Sequence, residues 1–586
     1  MELVYLWVKG YKNIHHQGFN FSPRFTCKYE DGELTIEKKE PIENFFGKNI
    51  NITAIVGENG SGKSNLLNLL FNEHISTNVF FILKINTELN VYGIDLDTTK
   101  YPNNTINKEQ LIDKVFHCTN LRSGKLDNDK LAFYTPLLQN TFTDNRHNYI
   151  NKKYNLSPVS LFDEYKESDQ VYKDISFKNL YEIYESNAIQ NSINMIKNCE
   201  NLNLPFDIPI ELTISINIIT EYEDYEQQYA FLKNKVKSED TYYGYMEQRI
   251  IKNWFRNSFE DFYSKNNEDE KNALLEPIKE NFGEYYSIDT LISILPKTIN
   301  VSGTNASIDF LRDDLQDIKI FLDAIKGLAN KQTGGNLKLN ISDIPTGFIS
   351  NYNKVIKSCS AFLDFDWKPK LSSGQQTFLS QFGLFYKHLK NDDKTLLFID
   401  EGESTLHPNW QKMYIKYIVD FFKKNMKNKK IHIVLSSHSP FILSDLPKEN
   451  VIFLEKYSEQ DSEVQNESQK VGNCKNVSDE TSIETFGANI HTLLSHGFFM
   501  KDGLMGEFAK GKIDNIIKNL KDKNFNPSKE EKEKLLATIK IIGEDFLKTK
   551  LLDMYYKKFD DDFIKKQRKE DLLVQQEKIK KELAKL

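Results

Sequence analysis

The stretch "NITAIVGENGSGKSNLLNLLF", residues 51–71, contains the strongest structural signal in this chain of 586 residues. Its first part is a short apolar run that ends at a glycine, which predicts a buried strand, and its last part has the apolar pattern of a helix. Between them, "GENGSGKS" at residues 57–64 fits the pattern GxxxxGK[ST]. Such a loop wraps a phosphate with backbone N–H groups at the positive end of a helix dipole. The stretch therefore predicts a strand–loop–helix unit that binds a nucleotide.

The side chains of this loop suit ATP with Mg²⁺. We expect Lys63 to neutralise the β- and γ-phosphates and Ser64 to hold Mg²⁺. A glycine-rich turn without a ligand is the alternative, and the strand before the loop and the helix after it favour the phosphate site. The predicted ATP contacts are Gly57, Glu58, Asn59, Gly60, Ser61, Gly62, Lys63, Ser64 and Asn65.

A second strand-like run, "LLFIDEGESTLHP" at residues 396–408, leads into two acidic residues. Its apolar residues place Asp400 at the carboxyl end of a buried strand, the usual ligand position in open α/β sheets. Taken alone, such a strand end is more often structural. Beside a phosphate-binding loop, we expect Asp400 to hold Mg²⁺ through water and Glu401 to polarise an attacking water molecule.

The segment "VLSSHSPFILSDLP" at residues 434–447 repeats this arrangement with a histidine. A lone histidine is more often solvated or satisfied by its neighbours than functional. Because His438 follows a third buried strand, we expect it to reach the γ-phosphate.

Residues 368–378, "KPKLSSGQQTF", place a polar turn directly before an apolar helix. The ordinary interpretation is a helix start in which Ser372 or Ser373 is the N-cap and Gln375 or Gln376 completes a capping box. This interpretation is compatible with a phosphate site, since capping and phosphate binding use the same backbone N–H groups.

The order of these four segments resembles the ABC-type ATPase superfamily, in which a P-loop and an "LSGGQ" signature occur together. "LSSGQ" at residues 371–375 departs from that signature only at Ser373, which stands for the usual glycine. The resemblance implies that the signature contacts ATP bound to a second copy, in a head-to-head dimer or a higher oligomer. It assigns that contact to Ser372, Ser373, Gly374 and Gln375, and it makes Gln139 the candidate glutamine that senses Mg²⁺.

The segments "DEGESTLHP" and "SSHSPFILSDLP" are similar to the SMC/RecF/OLD branch of this superfamily, where "DEPE…LHP" and "THSP" are usual. Gly402 stands for the expected proline and leaves the reacting groups unchanged. The long insertion between P-loop and signature separates the chain from transporter ATPases. The lack of sustained heptads argues against a long-armed SMC protein.

Further stretches are similar to the PtuA family, the ATPase subunits of Septu-type and retron-associated antiphage systems. They are the opening "MELVYLWVKGYKNIHHQGFNFSP" and residues 484–513, which include "HGFFMKDGLMGEFA". The resemblance implies a sensor or regulatory ATPase that controls a partner HNH nuclease. It also implies a reverse transcriptase and non-coding RNA–DNA as partners where the system contains a retron.

Two other functions stay open at this stage. A DNA-repair ATPase of the RecF/SMC type would bind DNA tightly as a dimer. An OLD-type ATPase–nuclease would cut by itself, and that branch usually carries a Toprim metal site after the ATPase. The candidate acidic cluster, "FDDDF" at residues 559–563, lies inside a helix-like run. We therefore expect no nuclease site in this chain.

The segment "EQRIIKNWFRN", residues 247–257, leaves nucleic acid open as a partner. It predicts a helix with Arg249, Lys252 and Arg256 on one face, where they could bind a phosphate backbone. Trp254 could stack on a base. An amphipathic helix with a solvated basic face is the favoured alternative.

Composition narrows the class of protein. The formal net charge of −7 excludes a global nucleic-acid footprint and leaves only local patches. No apolar run approaches the roughly 20 residues that a membrane span needs. The start of the chain carries early charges, unlike a secretory signal. Five cysteines lie far apart without a CxxC pair, which favours a reducing cytoplasm.

Together these features predict an α/β fold, an ABC-type P-loop ATPase head with a mostly helical insertion and a helical C-terminal extension. The length predicts several structural units. The predicted parts are 1–145 and 365–455 for the head, 146–364 for the insertion, 456–480 for a mobile polar loop and 481–586 for the extension.

Overall fold

The structure is a computed structural model that describes most of the chain outside a few segments. The described residues are 1–30, 33–71, 79–85, 88–94, 117–120, 131–134, 177–199, 202–216, 242–255, 287–295, 298–301, 304–307, 309–329, 336–359, 362–391, 394–497, 505–559, and single positions at 276–280 and 565–580. The chain divides into two compact units, Met1–Phe499 and Met500–Leu586.

In the described part, strands dominate the first 134 residues, whereas helices and strands alternate after residue 362. The strands are β1 (Glu2–Tyr11), β2 (Ile14–Asn20), β3 (Phe25–Glu30), β4 (Glu33–Lys38), β5 (Ile50–Gly57), β6 (Val79–Ile85), β7 (Glu88–Ile94), β8 (His117–Asn120), β9 (Leu131–Tyr134), β10 (Glu211–Ile216), β11 (Thr298–Val301), β12 (Thr304–Ser307), β13 (Asn336–Asn340), β14 (Leu363–Lys368), β15 (Lys394–Asp400), β16 (Lys430–Ser436), β17 (Val451–Lys456) and β18 (Cys474–Asn476). The helices are α1 (Lys63–Phe71), α2 (Phe177–Asn198), α3 (Tyr242–Trp254), α4 (Ile288–Ile294), α5 (Asp309–Ala329), α6 (Phe348–Cys359), α7 (Ser373–Leu389), α8 (Pro408–Gln411), α9 (Tyr414–Asn425), α10 (Pro440–Ser444), α11 (Ser462–Gln465), α12 (Ile490–Gly497), α13 (Glu507–Lys521), α14 (Lys529–Lys540) and α15 (Asp545–Lys558).

A six-stranded sheet in the order β18-β17-β5-β16-β15-β9 forms the centre of the first unit. All its neighbouring strands run parallel except β18, which pairs antiparallel with β17. Because β5, β16 and β15 are parallel neighbours, their carboxyl ends meet at one edge. This edge receives the loop after Gly57, Asp400 and the loop before His438.

The apolar strands of this sheet are buried on both faces, as parallel strands covered by helices require. In β5, Ile52, Ala54 and Val56 pack into the large core that also contains the inserted helices. Ile55 points to the opposite face, into a core with Leu66 of α1 and residues of β1. The sequence "NITAIVG" is therefore apolar throughout because neither face meets water.

A second sheet, in the order β2-β1-β6-β7-β8, packs through β1 and β6 against that opposite face. Its contact with the central sheet contains His432, which is fully buried. Nδ1 of His432 accepts a hydrogen bond from the Leu3 N–H at 3.0 Å, and Nε2 lies 3.0 Å from the Thr53 hydroxyl. Burial lowers the pKa of His432 to about 4, so the imidazole is neutral at pH 7.

The region between the P-loop and the signature contains the helices α2–α6 and a three-stranded antiparallel sheet, β13-β10-β14. Helix α3 holds the segment proposed above to bind nucleic acid. Trp254 has 0% of its surface exposed and packs edge-on against Phe255. The indole therefore cannot stack on a base, because the aromatic face of this helix forms the core, and the less favoured of the two interpretations is excluded.

Residues 456–480 differ from the mobile polar loop that their composition predicts. They contain α11 and β18, and Cys474 is buried. Lys475 forms an ion pair with Asp461 at 2.9 Å, and Asp461 also accepts a hydrogen bond from the Ser458 N–H at 2.6 Å. The polar side chains bond within the segment, so a polar composition is compatible with a folded edge of the sheet.

The second unit contains α13, α14 and α15, which pack around Ile539 and Tyr555. Within the described residues 505–559, this unit consists of these three helices and the short connections between them. Helix α12, which the predicted boundary at 481 assigned to the extension, lies in the first unit. Among the described helices, none has both the length and the apolar composition needed to cross a membrane.

Candidate nucleotide-binding and hydrolysis site

The loop after β5 is shaped by glycines that no other residue replaces without strain. A Cβ on Gly57 would lie 2.0 Å from the carbonyl oxygen of Leu454 in the neighbouring strand. Gly62 has φ +110°, a conformation that L side chains rarely adopt. The chain turns here and starts α1 at Lys63, as the sequence predicts.

Lys63 is held over this loop. Its ammonium donates hydrogen bonds to the carbonyl oxygens of Gly57 at 3.0 Å and Glu58 at 2.9 Å. The side chain is buried, and burial lowers its pKa to about 8 although Glu401 and Asp400 act in the opposite direction. The charge of Lys63 is thus poorly solvated, and an anion at the loop would restore its stabilisation.

Asp400 lies beside the first turn of α1, although it is 336 residues away from Ser64 in sequence. The Ser64 hydroxyl donates to Asp400 Oδ1 at 3.2 Å, and the Ser436 hydroxyl donates to the same oxygen. Asp400 is buried, and desolvation raises its pKa. A hydroxyl and a carboxylate side by side are oxygen donors of the kind that Mg²⁺ prefers.

Glu401 and His438 face each other next to Asp400. Glu401 has φ +51°, and its N–H donates to both the carbonyl and the hydroxyl oxygen of Ser436 at 3.2 Å. His438 Nε2 lies 3.5 Å from Glu401 Oε1, and the two side chains are 40% and 28% exposed. Burial, followed by the charge of Lys63, lowers the pKa of His438. The lowered pKa favours the neutral imidazole, and the side chain has access to solvent.

Two groups at this site escape sequence reasoning. The first is the turn between β1 and β2, where Asn13 donates to the Gly60 carbonyl at 3.2 Å. Asn65 donates to Asn13 Oδ1 at 2.8 Å, and Lys12 donates to Asn65 Oδ1 at 3.2 Å. Lys12 has φ +49°, which marks a tight turn. "YKN" contains no signal that it would lie on a loop about 50 residues away.

The second group is Glu403, which is buried behind the reacting side chains. The Ser437 hydroxyl donates to Glu403 Oε1, and the Ser439 N–H donates to the Ser437 hydroxyl at 2.9 Å. Glu403 Oε2 has no hydrogen-bond partner among the described residues. Desolvation raises the pKa of Glu403 to about 7. This carboxyl joins the loop that follows β15 to the loop that carries His438.

Gly402, which stands where the related branch has proline, has a packing reason here. A Cβ on Gly402 would lie 2.4 Å from the hydroxyl of Tyr414 and 2.5 Å from Cγ2 of Ile399. The Tyr414 hydroxyl accepts a hydrogen bond from Gln381 Nε2 at 2.6 Å. A buried tyrosine thus fills the space that a larger residue would take.

The start of α7 is a complete capping box with Ser372 as N-cap. The Ser372 N–H donates to Gln375 Oε1 at 2.7 Å, and the Gln375 N–H donates to the Ser372 hydroxyl at 3.4 Å. Ser372 and Ser373 are exposed, and Gly374 packs near the Thr405 carbonyl. The predicted helix start is confirmed. Its hydrogen bonds are local and do not involve the P-loop of the same chain in the described part.

The structure therefore brings together Lys63, Ser64, Asp400, Glu401 and His438, and it keeps Ser372–Gln375 as a separate surface feature. Gln139 lies outside the described residues. A glycine-rich loop and an acidic strand end at the edge of a parallel sheet define a P-loop ATPase fold with helical regions.

The chain belongs to the AAA ATPase domain family, which it matches over residues 28–443, more than two thirds of its length. This membership supports nucleotide binding and ATPase activity. No curated protein matches the chain. One solved structure, of "the recombination mediator protein RecF-ATPrS in RecFOR pathway", is 12% identical and covers 78% of this chain and 96% of that one. The TM-score between the two structures is 0.17.

Proposed function

We propose that this chain binds ATP with Mg²⁺ at the edge formed by Gly57–Asn65, Asp400 and His438, and hydrolyses it. The observation that carries the proposal is that Lys63 lies beside Asp400 and Glu401, which come from a distant segment of the chain. Their charges match the parts of a phosphoryl-transfer site. Lys63 supplies a cation for the phosphates, Asp400 a carboxylate that holds Mg²⁺, and Glu401 a carboxylate that orients water.

The donors at this edge fit Mg²⁺. Ser64 Oγ and Asp400 Oδ1 lie 3.2 Å apart, and Mg²⁺ commonly takes one or two such protein oxygens together with phosphate oxygens and water. We assign Ser64 as a direct ligand and Asp400 as a ligand through water, with Gln139 as a further candidate. When bound, the metal neutralises charge on the phosphate oxygens.

In the proposed reaction, the water oxygen forms a bond to the γ-phosphorus, and the bond from that phosphorus to the bridging oxygen breaks. ADP leaves with the electron pair, and the phosphoryl group becomes inorganic phosphate. Glu401 orients the water by accepting a hydrogen bond, and Lys63 stabilises the negative charge. Neutral His438 donates a hydrogen bond to a γ-phosphate oxygen. The proton of the water passes to the phosphate or to solvent.

A second copy completes this site in our proposal. A helix leaves the first N–H groups of its chain without intrahelical partners. At α7 those N–H groups lie next to Ser372 and Ser373 on the surface. We infer that Ser372, Ser373, Gly374 and Gln375 of one copy bind the γ-phosphate held by the P-loop of the other.

Mixing two inactive variants of the full chain tests the composite site. Ser372→Arg should block hydrolysis and keep ATP binding, because the side chain fills a gap sized for a phosphate. Lys63→Ala should lose both ATP binding and hydrolysis. In a mixed dimer the two lesions fall in one site, so random pairing should return up to about a quarter of wild-type turnover.

Near-normal turnover of Ser372→Arg alone would leave the start of α7 as a simple helix cap. A mixture as inactive as its parents would rule out independently active composite sites. Ser528→Arg is the matched control, since Ser528 caps α14 with the same capping box in the second unit. It should leave turnover unchanged.

We further propose that the chain is the regulatory ATPase of an antiphage defence complex and controls a partner HNH nuclease. The PtuA-like stretches at the start of the chain and at residues 484–513 support this role. A reverse transcriptase with its RNA–DNA joins the complex if the system contains a retron.

The test is to purify the chain with the product of a neighbouring HNH gene and to measure DNA cleavage with and without ATP. Glu401→Gln, which should bind ATP without hydrolysing it, should hold the nuclease in one state. If cleavage is the same with wild type, with Glu401→Gln and without the ATPase, the regulatory role is wrong, while ATP hydrolysis itself can still be intact.

A further inference from the structure

A groove of about 670 Å³ lies between helix α2, strand β14 and the start of α7. It runs from Ser373 past Gln376 and Thr377 on one side and along Tyr181–Ile189 on the other. None of Gly57–Asn65, Asp400 and His438 lines it, and Ser373 is the one lining residue that we also assign to the composite nucleotide site.

The groove follows the outer edge of a sheet. Five consecutive residues of β14, 363–367, all line it. Successive strand side chains point to opposite faces, so a groove lined by all five runs along the edge and not over one face. The order β13-β10-β14 makes β14 the outer strand among the described residues.

An outer strand presents backbone groups for pairing. In antiparallel sheets alternate residues direct their N–H and C=O groups to the neighbour, and the residues between direct theirs outward. The Leu363 N–H is already bonded to the Tyr352 hydroxyl at 2.8 Å. Residues 364–367 are therefore the part of β14 that can pair with another strand.

The charged residues that line the groove indicate the sign of the charge on its occupant. The groove's charged residues are Glu182, Glu185, Asp364 and Asp366, and no lysine, arginine or histidine lines it within the part of the chain that the structure describes. Asp364 and Asp366 are exposed and form no ion pair with any described residue. Phe365 is half-buried and adds aromatic surface, whereas the Trp367 side chain is buried in the core.

We propose that this groove docks an extended segment of a partner protein that alternates apolar residues with lysine or arginine. The segment adds as a strand to the edge of β14. Its backbone pairs with residues 364–367, its cations meet the carboxylates, and its apolar side chains contact the exposed part of Phe365. Strand addition of this kind draws affinity from the main chain and specificity from side-chain pockets.

The test uses the full chain and a fluorescent peptide of alternating valine and lysine, with binding followed by anisotropy. Wild type should bind this peptide and not its valine–glutamate counterpart. Asp364→Lys with Asp366→Lys should weaken binding at least about tenfold, because like charges then face each other. N-methylation of alternate backbone nitrogens in the peptide should abolish binding.

Asp207→Lys with Asp313→Lys is the control, because both aspartates are exposed, outside the groove, and give the same change in net charge. It should bind the peptide like wild type. Equal loss in both double variants, full affinity of the N-methylated peptide, or displacement by spermine as readily as by unlabelled peptide would overturn the proposal. If the lysine variant unfolds, Asp364→Asn with Asp366→Asn repeats the comparison.

Discussion

The nucleotide edge and the start of α7 are built in opposite ways, although we propose that both bind phosphate. At the nucleotide edge, Lys63, Asp400 and His438 come from three segments and lie together only because β5, β15 and β16 are parallel neighbours. At the start of α7, Ser372 and Gln375 bond to each other's backbone and stay on the surface.

The difference separates two kinds of site. The nucleotide edge depends on contacts between segments within one chain, so changes there alter both fold and chemistry. The start of α7 is a local motif whose capping hydrogen bonds join residues three positions apart, and in our proposal it acts on a nucleotide held by a second copy. Variants at the two places should therefore differ in how stability and activity change together.

The largest effect should come from Lys63→Ala. Removing the ammonium leaves phosphate charge without its partner in a poorly solvated loop, so ATP affinity should fall at least about a hundredfold. Calorimetric titration with ATP measures this. Lys456→Ala, which removes a partly exposed ammonium 3.8 Å from Glu58, is the control and should bind within a few-fold of wild type. Unchanged affinity of Lys63→Ala would remove Lys63 from the site.

Gly402→Ala tests whether the nucleotide edge is held by packing behind it. The added Cβ would lie 2.4 Å from the Tyr414 hydroxyl, and we expect a loss of about 1–3 kcal/mol in stability. Turnover should fall with it, since Glu401 adjoins Gly402. Urea unfolding and ATPase assays measure both.

Tyr414→Phe removes the hydroxyl and should return part of that stability to Gly402→Ala. The control is Gly511→Ala in α13, where a Cβ meets no atom within 4 Å. Gly511→Ala should leave the free energy of unfolding unchanged or raise it. An unchanged unfolding curve for Gly402→Ala would show that Tyr414 does not constrain this position.

His432 should make the sheet behind the site sensitive to acid. Its pKa is about 4 in the folded chain against an ordinary value of 6.5, so the unfolded chain binds more protons in between. The contribution of neutral His432 to the free energy of unfolding is fully present above pH 6.5 and is lost as the pH falls toward 4. The loss amounts to about 2 kcal/mol by pH 5. Urea unfolding at pH 7 and pH 5 measures the loss. His432→Gln should reduce it, and an equal pH dependence in both proteins would contradict the assignment.

The smallest effect on stability should come from Ser372→Ala. This variant tests most directly whether the start of α7 is more than a helix cap. Loss of an N-cap costs about 1 kcal/mol, and Ser528→Ala should cost the same in α14. Hydrogen exchange in the first turn of each helix measures both costs. Only Ser372→Ala should also lower turnover. Equal turnover in the two variants would make both serines plain caps.

Predictions from sequence succeeded where the pattern was local. The strand–loop–helix at 51–71, the capping box at Ser372 and the strands ending at Asp400 and Ser436 each follow from neighbouring residues. The folded edge at 456–480 was missed because its polar side chains bond to each other, and composition does not reveal such pairing. The base-stacking role considered for Trp254 was the less favoured interpretation, and only the buried indole excludes it.

The sequence by itself determined that this chain has a phosphate-binding loop, an acidic strand end and a capped polar helix start, because backbone conformation and periodicity are set within a few residues. Only the tertiary structure decided that Asn13 meets Gly60, that Glu403 joins the loops behind His438, and that Gly402 must lack a side chain. These contacts depend on strand order and packing, since Asn13 with Gly60, Glu403 with Ser437 and Gly402 with Tyr414 are 12 to 47 positions apart. The β14 groove also cannot be predicted from sequence. Whether a strand lies at the edge of a sheet depends on which strands pair with it, and the sequence of β14 does not show this.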